Sequence, residues 1–321
     1  MADLIPINFN VAPVSALLHQ EEKRAQEFAQ AQHASSTRRA YLSDISIFYG
    51  WCQLRGIPSL PASPQTIAMF VADQAEEGVA VSTLSRRIAA IRYMHSLSHL
   101  ESPTGSELVK ATLKGIRRVK GIALEQKAPA TVEILTEMLR HIPDTLQGLR
   151  DKALLLLGFA GAFRRSELAD LTMDDLQETA LGLRITIKKS KTDQESQGQQ
   201  IAIYQGARLR VVDAVKAWCD AAKITQGPVF RPLVKGGRVL STTLSTKSIA
   251  QVVKRYAELA GLNHEDFSGH SLRAGFITSA AERGASLFKM MEVSRHKSVD
   301  TLKGYVRRAE LFKDHAGSTF L

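Results

Sequence analysis

Cysteines, long apolar runs and acidic clusters are all scarce in this chain of 321 residues. Its two cysteines, Cys52 and Cys219, belong to no Cys-x-x-Cys pair, so neither a zinc site nor a disulfide framework is indicated. The longest apolar run, residues 153–163, is too short to cross a bilayer and is interrupted by glycines. The amino terminus lacks the basic and then apolar pattern of a secretory signal. We therefore expect a cytoplasmic protein that does not enter a membrane.

Acidic residues are not grouped with the spacing of metal ligands, so the sequence predicts no metal ion. They are also outnumbered, with 32 Asp and Glu against 42 Lys and Arg, a net charge of +10 and a pI near 9.6. The excess of basic residues is not confined to one terminus, and it indicates a polyanion as partner. The alternative is a basic soluble protein with no role in nucleic-acid binding.

The length of the chain favours two domains. Residues 1–34 carry little pattern and are interpreted as an N-terminal extension. Over residues 35–120 apolar side chains recur at helical spacing in four segments, which predicts an all-helical bundle. One of these segments opens with Ser63-Pro64, a helix cap followed by a first-turn proline. The four predicted helices begin near Ser36, Ser63, Ser82 and Ser106.

Residues 121–131 show no clear period and contain Pro129, which makes them the predicted linker. Over residues 132–321 helical patterns dominate. Two short alternating segments, 184–188 and 200–204, are typical of a β-hairpin. The predicted fold class is therefore mainly α, with an N-terminal helical bundle and a mostly helical second domain that contains a small β-hairpin or sheet.

The third and fourth predicted helices concentrate Lys and Arg with few acidic residues between them. A face that is merely solvated usually mixes charges of both signs, so we favour a surface that follows nucleic-acid phosphates. A solvated face remains the alternative. The predicted DNA-binding residues are Arg86, Arg87 and Arg92 on the third helix and Lys110, Lys114, Arg117, Arg118 and Lys120 on the fourth.

The most informative pattern is His270-Ser-Leu-Arg273, followed by His296 and, nine residues later, Tyr305. His270 and Arg273 are three residues apart, so on a helix they face the same side. Guanidiniums neutralise a phosphodiester with paired hydrogen bonds, and a phenol can act as a nucleophile. Together with Arg164 upstream, the pattern predicts a clamp for one phosphodiester with a phenol placed to attack it.

Residues 161–168, Gly-Ala-Phe-Arg-Arg-Ser-Glu-Leu, resemble the first box of the tyrosine recombinase, or phage integrase, family. The resemblance puts Arg164 at the catalytic position. Arg165 falls where the family usually has an aliphatic residue, and Glu167 is placed to support Arg164 by a salt bridge. The alternative, for this box alone, is an ordinary Arg–Glu pair on a helix surface.

Residues 268–275 resemble the His-x-x-Arg box of the same family. The resemblance implies that His270 and Arg273 contact the scissile phosphate and that His270 helps proton transfer. The family also carries a catalytic lysine on a β-hairpin, where it protonates the leaving 5′-hydroxyl. Lys191 matches that position best, and Lys189 is the alternative.

Residues 293–296, Val-Ser-Arg-His, together with Tyr305 resemble the last family box. Arg295 replaces the usual glycine. The resemblance implies that His296 bonds a non-bridging phosphate oxygen and that Tyr305 is the nucleophile. Three boxes in order, with compatible spacings, favour catalysis over packing for a tyrosine in this place.

The resemblance covers roughly residues 36–310 and is to Cre-like, two-domain members, whose first domain is a SAM-like core-binding domain. It implies a site-specific recombinase or integrase that cuts double-stranded DNA through a 3′-phosphotyrosine and forms a Holliday junction. Such enzymes act as homotetramers on two DNA sites without a cofactor. The alternatives are a type IB topoisomerase-like enzyme, a telomere resolvase and a non-catalytic DNA-binding regulator. The target sequence, the need for accessory proteins and the direction of recombination are not predicted.

Overall fold

The computed structural model describes residues 18–21, 23–24, 34–121, 127–188 and 198–309. The chain divides into two compact units, Met1–Leu124 and Glu125–Leu321. The fold is mainly α with one small antiparallel sheet, as predicted. Among the described residues, no helix combines the length and the apolar character that a membrane crossing requires.

The first unit is a bundle of helices around an aromatic core. Phe48 and Phe70 are fully buried, with their ring centroids 5.0 Å apart. The Ser63 hydroxyl accepts the Thr66 N–H at 3.0 Å and Pro64 occupies the first turn, so this predicted helix start is confirmed. The helices are α1 (Ser35–Gln53), α2 (Pro64–Glu76), α3 (Val81–Leu97) and α4 (Glu107–Lys120).

The second unit packs helices around a three-stranded sheet. Leucines 154–157 of one central helix are fully buried, which explains why that segment reads as an unbroken apolar run. The elements are α5 (Val132–Arg140), α6 (Leu146–Ala160), α7 (Arg165–Asp170), β1 (Leu176–Thr179), β2 (Gly182–Ile187), β3 (Gln199–Tyr204), α8 (Val211–Ala221), α9 (Thr246–Leu259), α10 (Ser271–Glu282), α11 (Leu287–Ser294) and α12 (Val299–Ala309).

The sheet has the order β1-β2-β3 with antiparallel pairs, and Ile185 lies opposite Ile201. The β2–β3 pairing confirms the predicted hairpin. Strand β1 was not predicted, because its four residues show partly buried ends and an exposed middle rather than an alternation. The turn predicted at 190–198 lies, except for Gly198, outside the described residues.

The carboxyl end of the predicted linker packs on the second unit. Ala128 N–H donates to the Asp266 carbonyl at 2.7 Å, and Ala130 N–H donates to the Ser271 carbonyl at 2.9 Å. Ala130 is fully buried against α10, where a Cβ added to Gly275 would lie 1.8 Å from the Ala130 carbonyl oxygen. Gly275 therefore allows the chain to cross α10 at close range. Residues 122–126 of the linker lie outside the described residues.

Candidate active site

Four of the predicted catalytic residues lie at or near helix ends, and Tyr305 lies within a helix. Arg164 is the N-cap of α7, and His270 is the N-cap of α10, with Arg273 in the first turn. His296 follows the end of α11, and Tyr305 lies on α12. The start of α10 adds the positive end of a helix dipole to a group of cationic side chains, which favours an anion.

Arg164 is held by Glu167. The Arg164 backbone N–H donates to Glu167 Oε2 at 2.9 Å, and its Nη1 donates to Oε1 at 2.6 Å. Burial raises the pKa of Glu167, but the charges of Arg295 and Arg164 and the hydrogen bonds from Arg164 outweigh burial, so the pKa lies below its usual value. The carboxylate is ionised, and it restrains the guanidinium from one side.

His270 and Tyr305 are in contact, with 3.2 Å between His270 Nε2 and Tyr305 Oη. His270 keeps an exposed edge, but burial of the rest of the ring lowers its pKa, and the charges of Arg273 and Arg164 lower it further. The neutral ring is therefore favoured at neutral pH. A neutral imidazole within hydrogen-bonding distance of a phenol can accept its proton.

Arg273 is buried, with 1% of its surface exposed. Its Nη1 donates to the Ala162 carbonyl at 2.7 Å, and its Nη2 lies 3.3 Å and 3.2 Å from Nδ1 and Nε2 of His296. Burial lowers the pKa of Arg273 to about 9, with Arg164 and Arg295 contributing. Burial also lowers the pKa of His296 to about 3, and Arg273 is the next cause. At neutral pH Arg273 is cationic and His296 is neutral.

Ser294 determines the tautomer of His296. The buried Ser294 hydroxyl donates to the Met290 carbonyl at 2.5 Å, and its oxygen lies 2.8 Å from His296 Nδ1. Since a hydroxyl has one proton and a carbonyl can only accept, Nδ1 must be the donor to Ser294. The neutral ring therefore has its lone pair on Nε2, which faces Arg273. A hydrogen bond from Nε2 to a phosphate oxygen requires uptake of a proton.

The predicted basic surface of the first unit is partly engaged within the fold. Arg86 makes a two-pronged ion pair with the buried Asp44, at 2.8 Å and 3.1 Å. Arg87 lies 3.7 Å from the same carboxylate, and its side chain is only 11% exposed. Asp44 was not singled out from the sequence, because it lies 42 residues away from Arg86.

The other basic residues of this surface are exposed. Four of them also make local contacts: Arg92 with Thr104, Lys110 with Glu107, Arg117 with Ser85 and Lys120 with the Ala75 carbonyl. Lys114 and Arg118 are exposed along α4.

Comparison with known proteins identifies the family. A model described as the phage integrase family matches residues 130–311, and one for the phage integrase N-terminal SAM-like domain matches residues 28–100. An integrase/recombinase XerD homolog of Selenomonas ruminantium is 42% identical over 300 residues, which cover 91% of this chain and 87% of the relative. This chain belongs to the phage integrase family. Its members are tyrosine recombinases, enzymes that cleave and exchange DNA strands.

Further relatives of this recombinase share its length and fold. The Cre recombinase of Escherichia phage P1 is 23% identical to this chain, and the alignment covers 97% of this chain and 96% of the relative. The solved structure of XerH bound to difH substrate, a post-cleavage complex, has a TM-score of 0.61 at 18% identity and covers 80% of this chain and 72% of that one. The Tn1549 transposon integrase with right-end DNA has a TM-score of 0.61 at 14% identity, with 90% and 96% covered. These structures confirm the fold.

The predicted catalytic lysine, Lys191 or its alternative Lys189, lies outside the described residues. Lys188, at the end of β2, pairs with Asp175 at 2.7 Å. The described residues contain no group of three or more His, Cys, Asp or Glu placed to bind a metal ion.

Both departures from the family boxes have defined places in the recombinase. Arg165 is exposed, and its side chain crosses Gly269, where an added Cβ would meet Arg165 Cδ at 2.8 Å. Arg295 is buried and pairs with Glu167 at 2.8 Å. The sequence predicted no role for Arg295 or Ser294. The signal that could have indicated a role for Arg295 is its charge at a position where the last family box usually has glycine.

Proposed function

We propose that this chain is a site-specific DNA recombinase in which Tyr305 is the nucleophile. The observation that carries the proposal is the 3.2 Å contact between Tyr305 Oη and His270 Nε2. A neutral His270 in this contact can accept the proton of the phenol, and the charge of Arg273 acts on both groups. Binding alone needs no phenol in that place, whereas attack on phosphorus needs both a nucleophile and a base.

The proposed reaction is a pair of transesterifications. Tyr305 Oη attacks the scissile phosphorus, its proton passes to His270, and the bond from phosphorus to the 5′-oxygen breaks. The leaving oxygen takes a proton from Lys191, which leaves a 3′-phosphotyrosine and a 5′-hydroxyl. The 5′-hydroxyl of a partner strand then attacks the phosphotyrosine and regenerates the phenol. The energy of the broken phosphodiester bond is conserved in the phosphotyrosine link, so the scheme includes no cofactor.

The charges of the site support this chemistry. Arg164, Arg273 and Arg295 contribute three positive charges and Glu167 one negative charge, an excess of two positive charges. A phosphodiester under attack by a phenolate acquires a second negative charge in the transition state. Guanidiniums that are already held in place stabilise that charge without reorganisation. We assign Arg164, Arg273 and a protonated His296 to the non-bridging oxygens.

Double-stranded DNA is the proposed partner. The exposed cations Lys110, Lys114, Arg117, Arg118 and Lys120 on α4 are assigned to its phosphates, and so is Arg92 on α3. Arg86 and Arg87 combine a phosphate-contact role with binding to Asp44. We further propose a homotetramer on two DNA sites, in the cytoplasm, where two unpaired and buried cysteines are stable.

The covalent intermediate provides the test. The substrate is a library of duplexes with random central sequence and a nick near the centre. Cleavage close to the nick releases a short fragment that carries the free 5′-hydroxyl. Once this fragment diffuses away, religation is prevented and the enzyme stays linked to its target. We expect protein-linked DNA that survives denaturation with the wild-type chain and none with Tyr305→Phe, which should still bind. Tyr204→Phe removes the hydroxyl of an exposed tyrosine elsewhere in the same unit and should leave the adduct unchanged. An adduct formed by Tyr305→Phe would refute the nucleophile assignment.

The trapped DNA separates the remaining alternatives. A recombinase exchanges strands between two copies of the recovered site. A topoisomerase relaxes supercoiled plasmid that lacks the site, a telomere resolvase leaves hairpin ends, and a binding protein gives no adduct.

A further inference from the structure

Arg295 lies where the family boxes have glycine, and its backbone has the left-handed conformation that favours glycine, with φ of 57°. Such a conformation is uncommon for a residue with a side chain, so the guanidinium contacts must offset its strain. The side chain is 1% exposed and packs over the Phe163 ring, with 5.2 Å from Cζ to the ring centroid.

The first set of contacts joins Arg295 to Arg164. Arg295 Nη2 donates to Glu167 Oε2 at 2.8 Å, while Arg164 Nη1 donates to Oε1 of the same carboxylate at 2.6 Å. Arg164 Nη2 also donates to the backbone carbonyl of Arg295 at 3.3 Å. Arg295 therefore restrains Arg164 through both its side chain and its backbone.

The second set joins Arg295 to Arg273. Arg295 Nη2 donates to the Ala162 carbonyl at 3.0 Å, and Arg273 Nη1 donates to the same oxygen at 2.7 Å. Arg295 Nη1 donates to the neighbouring Gly161 carbonyl at 2.9 Å. The turn that precedes Arg164 is thus held by the same guanidinium, and so is the carbonyl that orients Arg273.

We propose that Arg295 is a positioning residue that holds Arg164 and Arg273 in the geometry required by the scissile phosphate. It acts through Glu167 and the Gly161-Ala162 turn, because its own side chain is too buried to reach a phosphate. The inference rests on the proposed function of Arg164 and Arg273. It connects the first and last boxes of the chain, which are separated by 128 residues from Glu167 to Arg295.

The test compares Arg295→Met, Arg295→Lys and Arg295→Gly in single-turnover cleavage of the nicked substrate. We expect Arg295→Met and Arg295→Gly to slow adduct formation by on the order of 100-fold, because small misplacements of catalytic groups have effects of that size. Affinity for DNA should change by less than about threefold, since Arg295 makes no phosphate contact. Arg295→Lys keeps the charge beside Glu167 but not the paired donors, so an intermediate rate is expected.

A neutral scissile group distinguishes positioning from a general structural role. When a methylphosphonate replaces the scissile phosphate, one of the two negative charges that Arg164 and Arg273 neutralise in the transition state is absent. The defects of Arg295→Met and Arg164→Ala should both shrink on this substrate. Arg150→Met is the matched control: Arg150 is also buried and paired, with Asp151 at 2.7 Å, but lies outside the proposed catalytic set. It should lower the melting temperature without a substrate-dependent loss of cleavage.

Removing one partner of a buried ion pair can prevent folding. The double variant Arg295→Met/Glu167→Gln removes both charges, and it should fold and still cleave slowly. Cleavage at the wild-type rate by any folded Arg295→Met variant, or an equal defect on both substrates, would overturn the proposal. Absence of an adduct with the wild-type chain would instead contradict the proposed function itself.

Discussion

His296 shows how strongly neighbouring charges control a single residue of this site. Burial and four cationic or basic neighbours, Arg273, Arg164, His270 and Arg295, lower its pKa to about 3. Its Nδ1 is committed to Ser294, so only Nε2 can take up a proton. A phosphate that enters the site would favour the protonated ring, and DNA binding near pH 6 should therefore be accompanied by proton uptake.

The same shift predicts a pH dependence of stability. Between pH 6.5, the ordinary pKa, and pH 3 the unfolded chain binds a proton at His296 and the native state does not. The contribution of neutral His296 to the free energy of unfolding is thus complete above pH 6.5 and is lost as the pH falls toward 3. The lowered pKa of His270 acts in the same direction.

Thermal unfolding of the DNA-free chain at pH 7, 6 and 5 checks this prediction. The melting temperature should fall with pH, and it should fall less steeply for His296→Gln, which has no titrating ring. Equal slopes for the two proteins would show that the ring titrates normally.

At the scale of secondary-structure elements, α10 and residues 127–130, which cross it, support the site. Gly275 lies on α10 two residues beyond Arg273, and its missing side chain makes room for the Ala130 carbonyl. A shift of α10 relative to this segment would therefore move Arg273 as well.

Gly275→Ala should destabilise the second unit by about 1–3 kcal/mol or more, since overpacking forces the backbone apart. Gly304→Ala is the control, because a Cβ there meets no heavy atom of the described residues within 4 Å. It should raise stability by about 0.5–1 kcal/mol, as expected for glycine in a helix interior. Denaturant unfolding measures both, and a Gly275→Ala variant as stable as the wild type would contradict the packing described for α10.

At the scale of the whole molecule, the net charge of +10 governs the encounter with a polyanion. Affinity for DNA should fall steeply with salt, with a slope of about 0.9 for each phosphate contact. Lys114→Ala or Arg118→Ala should reduce that slope by about 1. Val119→Ala, which removes a neutral side chain that is 84% exposed on the same helix, should leave the slope unchanged. If neither Lys114→Ala nor Arg118→Ala changes the slope, α4 does not belong to the DNA-binding surface.

The helices of both units were predictable where local signals mark them. Ser63-Pro64 specifies a helix start through a side-chain cap and a fixed proline φ, both of which act within three residues. Strand β1 and the packing of Ala130 on α10 were not predictable in this way. Their conformations depend on partners distant in the chain, Gly182–Ile187 and Ser271–Gly275, rather than on their own pattern.

The sequence by itself determined the chemical content of the site: the order of Arg164, His270, Arg273, His296 and Tyr305, and through it the family. The chemical groups of these residues and their order along the chain can be recognised from the sequence alone. Only the tertiary structure decided what the other charges do. In the structure Arg86 and Arg87 pair with Asp44, and Arg295 pairs with Glu167, the carboxylate that also binds Arg164. The physical reason is that an ion pair forms between side chains brought together by packing, and helical periodicity carries no information about residues 42 or 128 positions away.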